Sequence, residues 1–405
     1  MNNSNCKKMN NSLSKPILCY IYLILTIFVG SNVISYLHLN IEGDSILALS
    51  HYLTIPFLLL AYILNFNKIS LYKNEKYLII ASCLIGAFQK IFMNKSAGMS
   101  FFINSVFEPL MLCALLRLFS FTQLKKLRIL LLSFICVEFI IAFYEYSSGN
   151  LLFAVSVDTL KMVTGQEEMR AFALHGHPLQ NSFLVSMIMC GILSSNLNLN
   201  FRYAFFFIGY LALFCFNSRS SIYFMGIILL MNLWRDFIVK KQSLCKKIFL
   251  FSFTGISITY LLIFVQSHNM GTRLAIGMDS NDGSSYARFI LVKILMSDMS
   301  IKDILVGVPT TMSTSFMVKY SLVAIENSVI NLIFGFGIIY TILFFLYWFK
   351  IFNSINSNKF PLLCLVIIIV LLFNTNNALQ TNCPIIPMAI MTLYAFKYEK
   401  NKYLI

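Results

Sequence analysis

The chain is short of charge. Only 12% of its 405 residues are Asp, Glu, Lys or Arg, where a soluble domain carries about a quarter. So little charge cannot cover a water-exposed globular surface, which excludes a soluble enzyme and a soluble binding module alike. Acidic residues are the scarcer kind, 16 against 31 basic ones, for a net charge of +15. No CxxC pair and no Cys/His spacing of the metal-binding type occurs. The ten cysteines stand singly, Cys19, Cys83, Cys113, Cys136, Cys190 and Cys215 among them, mostly inside apolar runs. They read as small packing residues, which argues against a metal centre or a redox pair. Lys7, Lys8 and Lys15 precede the first apolar run, but no small-residue cleavage site follows it, so a removable signal peptide is not expected. There is no convincing internal repeat, no low-complexity linker and no soluble domain.

Apolar bulk is what the chain has. It is 58% hydrophobic, with 39 Phe and 20 Tyr. Apolar runs of about 20 residues recur, each long enough to cross the hydrocarbon core as a helix. The expected fold class is an all-α polytopic membrane protein, one integral membrane domain over residues 1–405. Twelve spans are placed at roughly 17–37, 45–66, 77–93, 100–119, 129–146, 179–195, 203–217, 221–234, 248–266, 328–349, 360–377 and 384–397.

Lys and Arg in the connections set the sidedness. One side holds 21 of them, including Lys73, Lys76, Arg117, Lys125, Arg128, Arg202 and Arg235, and the other nine. The richer side is expected to be cytoplasmic, with both termini inside. Charge segregated by side, not gathered in one patch, speaks against a nucleic-acid partner. The partner implied is the lipid bilayer. Two connections on the poorer, outer side are long, about 147–178 and 267–327, and chemistry is expected there. The short links 196–202 and 218–221 force their flanking helices to pack as antiparallel neighbours.

The first outer loop closes with Met169–Asn181, MRAFALHGHPLQN, which holds Arg170, His175 and His177. The histidines read either as interfacial residues capping the next span or as a base, since an unperturbed imidazole titrates near pH 6.5. Two ligands two residues apart do not make a zinc site. Pro178 fits the first turn of the following helix. The apolar stretch LLFAVSVDTLKMV before it reads as an interfacial helix. Arg219, within Asn217-Ser218-Arg219-Ser220-Ser221, either snorkels or lines an outward cavity, and its polar flanks favour the cavity. The second loop carries Arg273 and Arg288, the latter at the start of a helix expected to run to Met296. Glu326, Asn327 and Ser328 stand at the mouth of the next span, where capping is the plainer role for Glu326. Isolated charges inside spans are Lys90, Glu108, Arg117, Glu138 and Glu145. Of these Lys90, Arg117 and Glu145 fall near span ends within reach of water.

Four arginines (170, 219, 273 and 288) on the side where arginine is scarce form the unusual count. A guanidinium binds a diphosphate bidentately and never loses its charge. The substrate suggested is a lipid diphosphate approached from outside.

These stretches together resemble the bacterial O-antigen polymerase family (Wzy) and the related O-antigen ligases. The residues that carry the resemblance are Arg170 with Gly176-His177-Pro178-Leu179-Gln180-Asn181, then Asn217-Ser218-Arg219-Ser220, then Tyr286-Ala287-Arg288 followed by Gly307, and last Glu326-Asn327-Ser328 with Gly335-Phe336-Gly337. The resemblance implies a GT-C-like membrane glycosyltransferase of the bacterial inner membrane. Such an enzyme joins undecaprenyl-diphosphate-linked oligosaccharide repeats on the outer face, with a chain-length regulator and a flippase as partners and no metal or other cofactor. It further implies that Arg170 and Arg288 bind the diphosphate leaving group, with Arg219, Arg273, His175, His177, Asn181 and Asn327 lining the substrate. Ligases generally place a His before the Asn where this chain has Glu326. Glu326 is then the expected base, with His175 or His177 as the alternative, and the ligase reading is the weaker one. An O-antigen ligase, another lipid-linked-sugar transferase, and a transporter or flippase stay as competing readings. Transporters tend to show internal repeats and polar sites at the midplane.

Overall fold

The architecture is that of a computed structural model, which describes residues 16–37, 50–93, 99–153, 170–195, 197–236, 290–308, 310–320, 327–355, 359–373 and 384–397, with a few isolated positions besides. Among the described residues the regular structure is helical, with no strand. The helices are α1 (Pro16–Phe28), α2 (Ser31–Tyr36), α3 (Ser50–Leu64), α4 (Lys73–Met93), α5 (Met99–Phe102), α6 (Glu108–Leu116), α7 (Phe121–Ser148), α8 (Pro178–Ser194), α9 (Leu199–Cys215), α10 (Arg219–Trp234), α11 (Ile301–Val306), α12 (Thr310–Lys319), α13 (Ser328–Ile355), α14 (Lys359–Phe373) and α15 (Ile385–Ala395).

Three of these, α4, α7 and α13, are long and apolar enough to cross a membrane by themselves. Shorter apolar helices of 10–17 residues accompany them, among them α1, α8, α9, α10 and α15. Helices fall within eleven of the expected spans, though only three of these helices have spanning length, and span 248–266 lies almost wholly outside the described residues. Many helices present large apolar side chains outward, such as Ile63, Leu84, Ile91, Ile140, Leu230 and Ile342. Apolar faces on this scale fit hydrocarbon, not water. The links at 196–202 and 218–221 do pack α9 against both α8 and α10.

Three helices are interrupted, and each interruption has a local cause. The first expected span breaks at Val29-Gly30, between α1 and α2. A π-turn, Ile103–Phe107, joins α5 to α6 just before Pro109, whose missing N–H and ring it absorbs. Within α13, Gly337 leaves the helical region at φ 81. Carbonyls near that break find other donors: Phe334 accepts Val308 N–H at 2.8 Å and Gly335 accepts Gln89 Nε2 at 2.5 Å. Gly307 lies against Gly335 and Gly337, so two of the resembling motifs meet in space.

One end of the bundle collects the basic residues. Arg117 forks onto Glu75 at 2.9 and 3.0 Å and lies 4.1 Å from the Tyr72 ring. Arg128 Nε donates to the Ala395 carbonyl at 2.8 Å. Arg202 reaches the Leu193 carbonyl at 2.8 Å and pairs with Asp236, which Arg235 also contacts. The carboxyls expected inside spans are buried: Glu108 accepts from Tyr22 Oη at 2.8 Å, and Glu138 is fully enclosed.

Candidate functional site

At the opposite end, residues 170–177 fold into the bundle instead of lying over it. The segment is irregular and buried, so its backbone groups must find protein partners. Ala171 N–H donates to the Cys215 carbonyl at 3.0 Å, which fastens the segment to the α9–α10 turn. Glu145, near the end of α7, accepts Phe172 N–H at 2.7 Å and Ala173 N–H at 2.9 Å. Asn32 Nδ2, in α2, donates to the carbonyls of Phe172, Ala173 and Gly176 at 3.0–3.1 Å. Gly30 leaves the space that Leu174 and His175 occupy. Gly176 turns the chain at φ +51 with Ser31 and Gln180 close against it.

Arg170 is 92% buried at the head of this segment, and its Nε donates to the Phe216 carbonyl at 3.3 Å. The same turn carries Asn217 at φ 50, a left-handed conformation that Asn tolerates, and then Arg219 at the first position of α10. The two arginines expected in the first loop and at the α9–α10 turn are thus brought onto one feature. At the same turn Ser218 forms, with Ser221 and Ser182, a triangle of hydroxyls with edges of 3.0, 3.1 and 3.1 Å.

The two histidines part company. His177 caps α8, its Nδ1 accepting Leu179 N–H at 3.2 Å ahead of Pro178, as a cap reading expects. His175 is buried, its Nε2 2.9 Å from the Ile27 carbonyl and its ring 5.9 Å from that of Phe134. Asn181 is fully enclosed and works internally: Oδ1 accepts His175 N–H at 3.0 Å and Nδ2 donates to the Phe172 carbonyl. Asn327 caps α13, with Oδ1 accepting from Val329 and Ile330 N–H at 3.0 Å. Arg273, Arg288 and Glu326 lie outside the described residues, as does the stretch 154–169 expected to lie along the surface. Of the second loop, α11 and α12 are described, with Asp298 accepting from Lys319 and Tyr320 at 2.7 Å. Those two donors hold the Asp298 carboxyl below its ordinary range.

Residue types alone did not point to Asn32 or Gly30, and they marked Glu145 only as an isolated charge inside a span. Glu145 was expected to reach water, yet it is fully buried and bonded to backbone N–H groups. The signal within the sequence was the Gly30-Ser31-Asn32 interruption of an apolar run, which needs a structural reason. Among the described residues no three His, Cys, Asp or Glu side chains gather as a metal site would require. Chemically the arrangement offers fixed positive charge on a braced backbone, at the bundle end away from the basic helix termini. No protein-family model, no curated protein and no solved structure matches the chain.

Proposed function

We propose that this chain is a membrane glycosyltransferase, a surface-polysaccharide polymerase that joins undecaprenyl-diphosphate-linked oligosaccharide repeats on the outer face of a bacterial inner membrane. The observation that carries the reading is Arg170 held on a buried, multiply anchored segment against the turn that bears Arg219. A guanidinium binds a diphosphate bidentately and keeps its charge, and two of them stand on one feature of the side where arginine is scarce. The uneven Lys and Arg counts support a reading with this end outside and both termini in the cytoplasm.

In this reading the growing chain leaves its lipid diphosphate and joins a hydroxyl of a new lipid-linked repeat. Arg170 and Arg288 meet the charge that develops on the departing diphosphate, usually the largest single catalytic effect. Arg219 and Arg273 assist in binding. Glu326 takes the proton of the acceptor hydroxyl, a step worth roughly 10²- to 10⁴-fold. His177, Asn181 and Asn327 contribute by shaping the helix entries that surround the substrate, and His175 by packing against Gly30 and Phe134 within the same segment.

The test uses a deletion strain complemented with Arg170→Ala or Arg288→Ala. Each variant should leave surface polysaccharide with a single repeat and no ladder of longer chains. A normal ladder from both variants would sink the assignment. Loss of the single-repeat product with lipid-linked polymer accumulating would show a ligase instead. Loss of all outward lipid-linked repeat would show a flippase.

A further inference from the structure

Glu145 makes an unusual set of contacts for a carboxylate in an apolar helix. One oxygen accepts Leu152 N–H at 3.0 Å, and the other accepts Phe172 and Ala173 N–H at 2.7 and 2.9 Å. Its partners lie 7, 27 and 28 residues further along the chain. One side chain therefore joins the start of the first long loop to its end. Gly149, at φ 70, lets α7 stop so that Leu152 can fold back to it.

The clasp falls beside Arg170 and not at an arbitrary place in the loop. Ala171 N–H is held by the Cys215 carbonyl on one side of the peptide, and the next two N–H groups are held by Glu145. Ala173 sits at φ 44, a left-handed conformation that a non-glycine residue adopts only at a cost. Such strain persists only where the surroundings fix it, and here Glu145 holds the Ala173 N–H while Asn32 holds its carbonyl. A loop needing only closure has no need of a strained residue three positions from its arginine.

We propose that Glu145 is the positioning residue for Arg170: by fixing the backbone at residues 172 and 173 it sets the direction in which the Arg170 guanidinium meets an anionic substrate. The inference rests on the polymerase reading of Arg170. Glu145 touches no substrate and acts through the peptide it holds.

The test compares purified wild type with Glu145→Gln, Glu145→Asp, Arg170→Ala and the Glu145→Gln/Arg170→Ala double variant. The substrate is the lipid-linked repeat extracted from the deletion strain, and kcat, KM and melting temperature are all measured. Gln turns an NH₂ group toward at least one of the N–H donors, so kcat should fall about 100-fold, the usual effect of displacing a catalytic group by about 1 Å, with KM little changed. Asp keeps the charge on a shorter arm and should fall between Gln and wild type. The double variant should be no slower than Arg170→Ala alone, because a residue acting through Arg170 has nothing left to position. If Gln does not fold, Asp still supplies the comparison of kcat with KM. Turnover within twofold of wild type for Gln, or for Asp where Gln does not fold, with Arg170→Ala strongly but measurably impaired, would overturn the inference and leave the polymerase reading standing. So would losses that multiply in the double variant. Wild-type turnover by Arg170→Ala would overturn both.

Discussion

A methyl group at Gly30 should disable the site from the far side of the segment. Gly30 lies at the α1–α2 break, and a Cβ built there would stand 2.1 Å from the Leu174 carbonyl oxygen and 2.7 Å from His175 Nδ1. Ordinary contact begins near 3.4 Å, so the carbonyl must retreat by more than an ångström. It cannot do so alone. Ala173, the residue before it, is bonded to both Glu145 and Asn32, and His175, the residue after it, is bonded to Asn181 and Ile27. The strain must pass into residues 170–173 or into α1. Overpacking of this kind costs about 1–3 kcal/mol of stability, and a displacement near 1 Å at a catalytic group costs roughly 100-fold in rate. Gly30→Ala should therefore lose the polysaccharide ladder while still reaching the membrane with a modestly lowered melting temperature. Gly226→Ala is the matched control. It lies in α10, meets only Tyr210 Oη at 3.5 Å, and should keep the ladder. The assays are gel banding of surface polysaccharide and thermal melting in detergent. A wild-type ladder and melting temperature for Gly30→Ala would refute the claim that residues 170–177 are wedged against α1.

At Gly337→Ala the new Cβ would lie 2.2 Å from the Leu305 carbonyl at a φ of 81, so both space and backbone oppose it. Thermal melting should show a larger loss than for Gly30→Ala, and an equal melting temperature would deny that α11 packs into the α13 break. Arg117→Met leaves Glu75, 1% exposed, without its guanidinium partner, and should cost about 3–5 kcal/mol in denaturant unfolding. Arg117→Lys should lose less but not nothing, because an ammonium provides neither the fork onto Glu75 nor the same stacking on Tyr72.

Helix placement was legible because hydrocarbon imposes it. A run of about 20 apolar residues has few alternatives to a helix in hydrocarbon. Pro178 at a helix start and the antiparallel pairing across 218–221 followed from chain geometry alone. The breaks at Gly30 and Gly337 were not legible, because a glycine in an apolar run announces a close approach without naming what approaches. Glu145 was misread for a related reason. Position near a span end says that a carboxylate can reach water, but the return of residues 172 and 173 from far along the chain replaced that water with backbone N–H groups. Asn181 entered as a substrate contact through the family resemblance, and nothing in the sequence shows that its amide also bonds His175 and Phe172. Neighbours in sequence carried the motif, and contacts over 140 residues, such as Asn32 with Ala173, built the site.

The bracing of residues 171–176 is polar for a reason independent of catalysis, and that reason fixes which side chains can do it. An irregular segment buried at a membrane boundary exposes N–H groups and carbonyls that water cannot reach, each costly if left unpaired. Successive peptide groups point in different directions, so donors and acceptors collect on different faces of the segment. Glu145 faces N–H groups and offers only acceptors. Asn32 meets three carbonyls through its Nδ2 donor. Asn181 sits between an N–H and a carbonyl and uses both ends of its amide. These roles cannot be exchanged: a carboxylate at position 32 would face three carbonyl oxygens, and an amide at 145 would face N–H groups with a donor. On the reading proposed for Glu145 the same constraint would tie stability to function, since a side chain that makes the buried backbone tolerable is also the one proposed to set where Arg170 stands.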